Sequence, residues 1–248
     1  MGQNGKYFTV EVKPTITASK QALGAFSTDD VVFDWTAFDV PKGTNKLIDA
    51  VVVSRGTDGA RQDFQLDYHF AKSRNSNDPA SLGTLHATAN GTGYYNDLIG
   101  AFTIDAGDFY HGLDNVSVGG IGRSGTAHGE TIQPCLTGEP NSGTNVGYDK
   151  LYIAGLGVVG GPNYASTVQV ATETATSDIA VVVKTTSALT CFDVGDILHD
   201  EDDQLIGTIK SITDATNIVL ESLCDSVSAV NKDLYNIKPM TIILSFER

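Results

Sequence analysis

The sequence predicts an all-β protein: an antiparallel sandwich or barrel over residues 1–176, completed by 239–248, with a second, small β-barrel inserted at 177–238. Three observations lead there. Apolar residues alternate with polar ones at every second position, the spacing that puts one side of a strand in a core. Between the alternating runs lie clusters such as "RGTDGA", "NSNDP", "NGTG" and "EPNSGTN", whose residues tolerate positive φ or preset a turn. No stretch carries the 3.6-residue apolar stripe of a convincing amphipathic helix.

Taken in order, "DVVFDWTAFDVP" reads as a strand with Phe33 and Trp35 on one side, and "NKLIDAVVVS" as a β-branched strand. "DFQLDYHF" alternates best: Phe64, Leu66, Tyr68 and Phe70 share one face, while Gln65, Asp67 and His69 share the other. The glycine-rich stretch from 116 to 148 reads as a long irregular arm, suited to contacting a partner. Near residue 176 the texture changes. From "SDIAVVVK" to "DLYNI" the strands shorten and the turns "HDEDDQ" and "TDATN" are tight, the pattern of a small barrel. "MTIILSFE", after Pro239, sets Ile242, Leu244 and Phe246 against Thr241, Ile243 and Ser245, so the chain is expected to return to the large unit there.

Composition narrows the function classes. Apolar residues make up 41% and charged residues 19%, which excludes disordered and collagen-like readings. Sixteen basic against thirty acidic residues leave a formal charge of −14, a surface that repels phosphate backbones and anionic headgroups. Direct binding to nucleic acid or to a membrane is therefore not expected. Cys135, Cys191 and Cys224 are odd in number, far apart and without CxxC spacing, so neither a disulfide framework nor a zinc knuckle is expected, and assembly in a reducing compartment fits. The first residues lack the apolar core of a signal peptide, and no run of about eighteen apolar residues follows, which predicts a soluble, unexported chain. Gly2 invites a myristoylation reading, but Lys6 stands where Ser or Thr is needed.

Several constellations have the residue types of a site, and none has the spacing. The tetrad Asp200, Glu201, Asp202, Asp203 lacks the glycine and the distal glutamate of a calcium loop and is read as the solvated tip of a hairpin. "GIGRSG", Gly120 to Gly125, matches a dinucleotide fingerprint by letter, but no helical pattern follows to hold a pyrophosphate. Ser124, His128 and Glu130 sit too close in sequence to meet as a hydrolytic triad. Asp105, Asp108, His111 and Asp114 recur every third residue, yet Gly107 and Gly112 interrupt the helix that would align them. His69, His86 and His199 form no HxxxH pair, and the sequons at Asn90 and Asn115 matter only in a secreted eukaryotic protein. No catalytic, cofactor-binding or metal residue is expected, and no cofactor.

The succession "KLIDAVVVSRGTDGARQDFQLDYHFAKS", "SLGTL", "DLIGAFTIDAGDF", "KLYIAGLGVVGGPNYAS" and "MTIILSFE" resembles a group of tailed-phage virion proteins, common among marine phages. These are jelly-roll decoration (cement) or minor head proteins. The inserted "FDVGDIL", "LIGTIKSITDATNIVL" and "LYNI" are similar to small barrel modules of phage structural proteins. The resemblance implies a jelly-roll-like sandwich, a location on the outer surface of the virion capsid after assembly in the host cytoplasm, and the major capsid protein as partner. It also implies a homo-oligomer, with a trimer matching the threefold sites of a shell. It carries over no site residues. The alternatives are a tail, baseplate or fibre component, and a carbohydrate-binding module that would use exposed aromatics such as Tyr94 and Tyr95 rather than the inward Trp35.

Overall fold

The structure is a computed structural model that describes residues 6–91, 97–112, 114–122, 134–141, 145–184 and 188–248. Its strands, in chain order, are β1 (Tyr7–Val12), β2 (Val31–Pro41), β3 (Thr44–Ser54), β4 (Leu66–Ala71), β5 (Leu98–Ile104), β6 (Ser117–Gly122), β7 (Cys135–Thr137), β8 (Glu139–Pro140), β9 (Tyr148–Gly157), β10 (Ala180–Val182), β11 (Ile197–Asp200), β12 (Leu205–Asp214), β13 (Asn217–Leu220), β14 (Leu234–Asn236) and β15 (Met240–Glu247). They form antiparallel sheets, and helix is confined to short turns, as the alternating pattern requires.

Two sheets share one large core. The first runs β1-β15-β3-β6, with β7 also on β3; the second runs β2-β9-β4-β5, with β8 also on β9. β15 pairs with β1 on one side and β3 on the other, so the last strand is central to its sheet. Its pleat sends Met240, Ile242, Leu244 and Phe246 into the core, and Phe64, Leu66, Tyr68 and Phe70 meet them from the other side. Where Phe33 crosses β9 its partner is Gly155, and a Cβ there would come within 2.3 Å of the Phe33 ring. Only glycine lets that ring lie flat against the neighbouring strand.

The shared side expected for Phe33 and Trp35 does not hold. The pairing of β2 with β9 shifts register between Phe33 and Thr36, and such a bulge breaks the alternation. Phe33 stays between the sheets, whereas Trp35 joins Val31, Leu82 and Ala154 in a second apolar cluster. Part of the arm expected at 116–148 is strand, since β6, β7 and β8 fall within it, while residues 123–133 and 142–144 of that arm lie outside the described residues. Glycine served there as a thin strand residue: a Cβ on Gly119 would press into Phe109 at 2.8 Å.

The remaining strands form a sheet of their own, ordered β10-β13-β12-β11-β14, around a separate core of Val181, Leu198, Ile206, Ile209, Ile218, Leu220 and Leu234. The chain enters this body ahead of the change in texture at 177. Val168 and Val170 already belong to its core, and residues 169 and 170 bridge to Asp233 and Val183.

Candidate functional site

The acidic turn joins the paired strands β11 and β12 as a hairpin tip, with Asp202 and Asp203 exposed and Glu201 half-buried, and only Asp200 departs from the solvated reading. Asp200 is 2% exposed. Its Oδ1 accepts from the backbone N–H of Asp202 and Gln204, and its Oδ2 from the Ser228 hydroxyl. These donors satisfy both oxygens of the buried side chain within the turn. Glu201 and Asp202 both grip Lys232, at 2.7 and 2.8 Å, and hydrogen bonds to them raise its ammonium pKa above the ordinary value. Asp203, in the left-handed region at φ 63, reaches into the sandwich body and accepts from the backbone N–H and the hydroxyl of Ser19. Each of the four acids thus has a partner within the protein. The sequence could not show this, because Ser19, Ser228 and Lys232 lie far from the tetrad along the chain.

The Asp203 contact is one part of a joint between the sandwich and the five-stranded body. The short helix Ala18–Gln21 lies against β14 and buries Gln21, whose Nε2 donates to the Ile16 carbonyl at 2.7 Å and the Asn236 carbonyl at 2.8 Å. On the other flank Gly59, at φ +73, touches the short helix Ala188–Cys191 so closely that a Cβ would stand 2.0 Å from the Thr190 carbonyl oxygen. Arg55 reaches Asp193 at 3.4 Å. The crevice left between Gln21, Tyr164, Phe192 and Tyr235 measures about 50 Å³, room for a few water molecules and not for a substrate.

Burial pushes the Cys191 thiol up to about 11 and the Tyr235 phenol up to about 12. Both stay protonated at neutral pH, and a protonated thiol is a poor nucleophile. All three cysteines are free thiols. Among the described residues no three His, Cys, Asp or Glu side chains gather as a metal cluster, and no helix is long and apolar enough to cross a membrane.

The other residues singled out by sequence are dispersed. Asp105 and Asp108 cap the turn Ala106–Asp108 reciprocally. His111 stands 3.7 Å from Asp63, and Asp114 offers its carbonyl to the Arg61 N–H. His86 packs on Phe26 and faces Asp30, while His199 donates to the Asp203 carbonyl. Asn90 donates its backbone N–H to Leu82, and Asn115 is exposed. Gly120–Gly122 close β6; the rest of "GIGRSG", with Ser124, His128 and Glu130, and likewise Tyr94 and Tyr95, lie outside the described residues. Trp35 donates from Nε1 to the Ala80 carbonyl at 2.9 Å.

What remains is surface. Eight of the fifteen large apolar side chains that stand exposed among the described residues fall between Ile179 and Val230, on the five-stranded body. Several are neighbours: the Leu220 N–H bonds to the Ile179 carbonyl, the Cys224 N–H to Asp178 and the Asp225 N–H to Ile206. These bonds set the backbone segments that carry Ile179, Leu205 and Leu223 side by side, and each of the three side chains is at least 37% exposed. Asp178, Glu221 and Asp225 lie beside them in the chain. A sequence scan for catalytic types passes over such a patch, because its signal is ordinary Ile and Leu at strand ends. A second opening, a trough of about 490 Å³, crosses β1, β15 and β3 between Tyr7, Thr9, Ile48, Asp49 and Ser245. Compared with family models and with curated proteins, the chain matches none.

Proposed function

We propose that the chain is a virion structural protein, a decoration or cement protein that binds the outer surface of a capsid and stabilises the shell. In this reading the two-sheet body is a jelly-roll-like sandwich, the five-stranded body is a small inserted barrel, and the partner is the major capsid protein. The observation that carries it is the concentration of exposed aliphatic side chains on the five-stranded body, with Ile179, Leu205 and Leu223 on adjoining backbone segments. A soluble domain seldom exposes neighbouring large aliphatics without something to cover them. The acids beside the patch favour a partner whose apolar surface is rimmed by basic residues. A contact of about 800 Å² per partner would suffice for specific attachment, and a trimer on a threefold site would multiply it by avidity.

The test is copy number and place. Antibody raised against the recombinant protein should decorate the heads of phage particles whose genome encodes the chain, and quantitative mass spectrometry should return hundreds of copies per particle. A few to a few dozen copies on the tail would favour the second virion role, a tail, baseplate or fibre component. Absence from the particle would overturn both. The carbohydrate-binding reading draws on one observation, the open trough beside Tyr7, which is 52% exposed. Specific signal on a glycan array, lost in Tyr7→Ala, would favour it.

A further inference from the structure

At one end of the sandwich the turn between β2 and β3, at Lys42 and Gly43, crosses from one sheet to the other. Two polar side chains point into the interior beneath it. Asn45, near the start of β3, is 0% exposed, and Asp149, near the start of β9, is 3% exposed. Their cross-strand neighbours Leu136 and Val40 are buried and apolar.

Both side chains hold the same turn by one arm. Asn45 Nδ2 donates to the Pro41 carbonyl at 2.9 Å and to the Gly43 carbonyl at 3.0 Å. That fixes the amide orientation, since the flipped form would set its oxygen against two carbonyl oxygens. Asp149 Oδ2 accepts the Gly43 N–H at 2.8 Å. Gly43 has φ +111, a conformation natural to glycine, and so presents its N–H to one side chain and its carbonyl to the other. The second arm of each side chain has no partner: Asn45 Oδ1 and Asp149 Oδ1 are both buried and make no hydrogen bond. No lysine, arginine or histidine among the described residues forms an ion pair with Asp149.

A carboxylate inside an apolar sandwich, with one N–H bond and no counter-ion, is an unstable arrangement. Asp200 shows the contrast: equally buried, it has three donors. Two acceptor oxygens, each buried without a donor on side chains that hold the same turn, are groups that a positive charge would satisfy. We propose that Asp149 Oδ1 and Asn45 Oδ1 bind a hard cation, with calcium the best match, as a structural site pinning the β2–β3 turn to β9. The donor set is oxygen alone, which selects a hard cation over zinc or copper.

The full chain's melting temperature tests this in calcium chloride, sodium chloride and choline chloride at equal ionic strength, against a chelator. Calcium at a hundredfold excess over its Kd should raise the melting temperature by about 5 °C or more. Asp149→Asn should abolish that rise and, in chelator, melt at or above the parent, because a neutral amide removes the buried carboxylate that has no counter-ion. Asn45→Asp should enlarge the calcium response while lowering the melting temperature in chelator. The proposal fails if calcium and sodium do no more than choline, or if Asp149→Asn retains the full calcium response. It also fails if only acidification stabilises the parent, since the occupant is then a proton.

Discussion

Inside the sandwich Tyr68 stacks on Phe102 and Phe64 leans on Phe109, both pairs at 4.7 Å, whereas the core of the five-stranded body is aliphatic apart from Phe192 and Cys224. The strands obey the same pleat in both, so the difference lies in what the pleat delivers. Aromatic rings bury large area per residue and fix one another's geometry, and the sandwich spends most of its ring residues that way. The five-stranded body buries valines, isoleucines and leucines, and a body of that size gains less per residue from its core. It compensates at its boundary. Gln21, Asp203 and the close approach of Gly59 to Thr190 tie it to the sandwich, while its own outward aliphatics stay uncovered. The comparison separates a part that supplies stability from a part that offers surface.

The largest expected effect strikes the ring-filled core. Phe33→Ala should destabilise the protein by about 3–5 kcal/mol, read by chemical denaturation with the fluorescence of Trp35. Gly155→Ala should cost about 1–3 kcal/mol, because its methyl meets the Phe33 ring. Combined, the two should cost less than their sum, since the alanine at 155 then occupies part of the space the ring vacates. Additivity would show that the ring and the glycine are not a packing pair. Gly59→Ala probes the boundary. The added methyl meets a backbone oxygen and the residue holds a positive φ, so about 1–3 kcal/mol is expected. The loss should appear as faster hydrogen exchange across residues 188–236, with the sandwich strands unchanged. Equal loss in both bodies would mean that they unfold as one unit and that the proposed division is wrong.

How far these features were legible in the sequence depends on how local their cause is. Alternation is local, so β4 and β15 could be read from their letters, down to which side of Phe70 or Leu244 faces the core. The side of Trp35 was not legible, because a bulge is set by the partner strand, and β9 lies more than a hundred residues away. Glycine misled for a related reason. In β6 it marks closeness to Phe109, which the letter G shares with flexible loops. The acidic tetrad was legible as a hairpin tip but not the burial of Asp200 within it, because four adjacent charges look alike until Ser19, Ser228 and Lys232 sort them. Asn45 and Asp149 gave no signal at all: each is an ordinary polar letter in a strand, and only folding leaves an oxygen on each without a donor.

The smallest prediction concerns pH and separates the two bodies by sign. His69 lies half-buried on the outer face of the second sheet between Ala101 and Ala154, and burial holds its imidazole below the ordinary 6.5, with Asp67 opposing. The folded state then binds fewer protons than the unfolded chain just below pH 6.5, so this contribution is present above 6.5 and is lost as pH falls through the folded value. In the five-stranded body burial raises Asp196 and Asp233 above the ordinary 3.8. There the folded state binds more protons, so stability is fullest below 3.8 and is lost as pH rises through the folded values. Asp49 on the first sheet is raised in the same way and counters His69 only at the acid end. From pH 7 to 5 hydrogen-exchange protection, corrected for the pH dependence of the intrinsic exchange rate, should therefore fall in β4 and β9 while it holds or rises in β11 and β12. His69→Gln should flatten the sandwich response and leave the other untouched. Parallel slopes in both bodies would show that the pH dependence belongs to the whole chain and not to these buried groups.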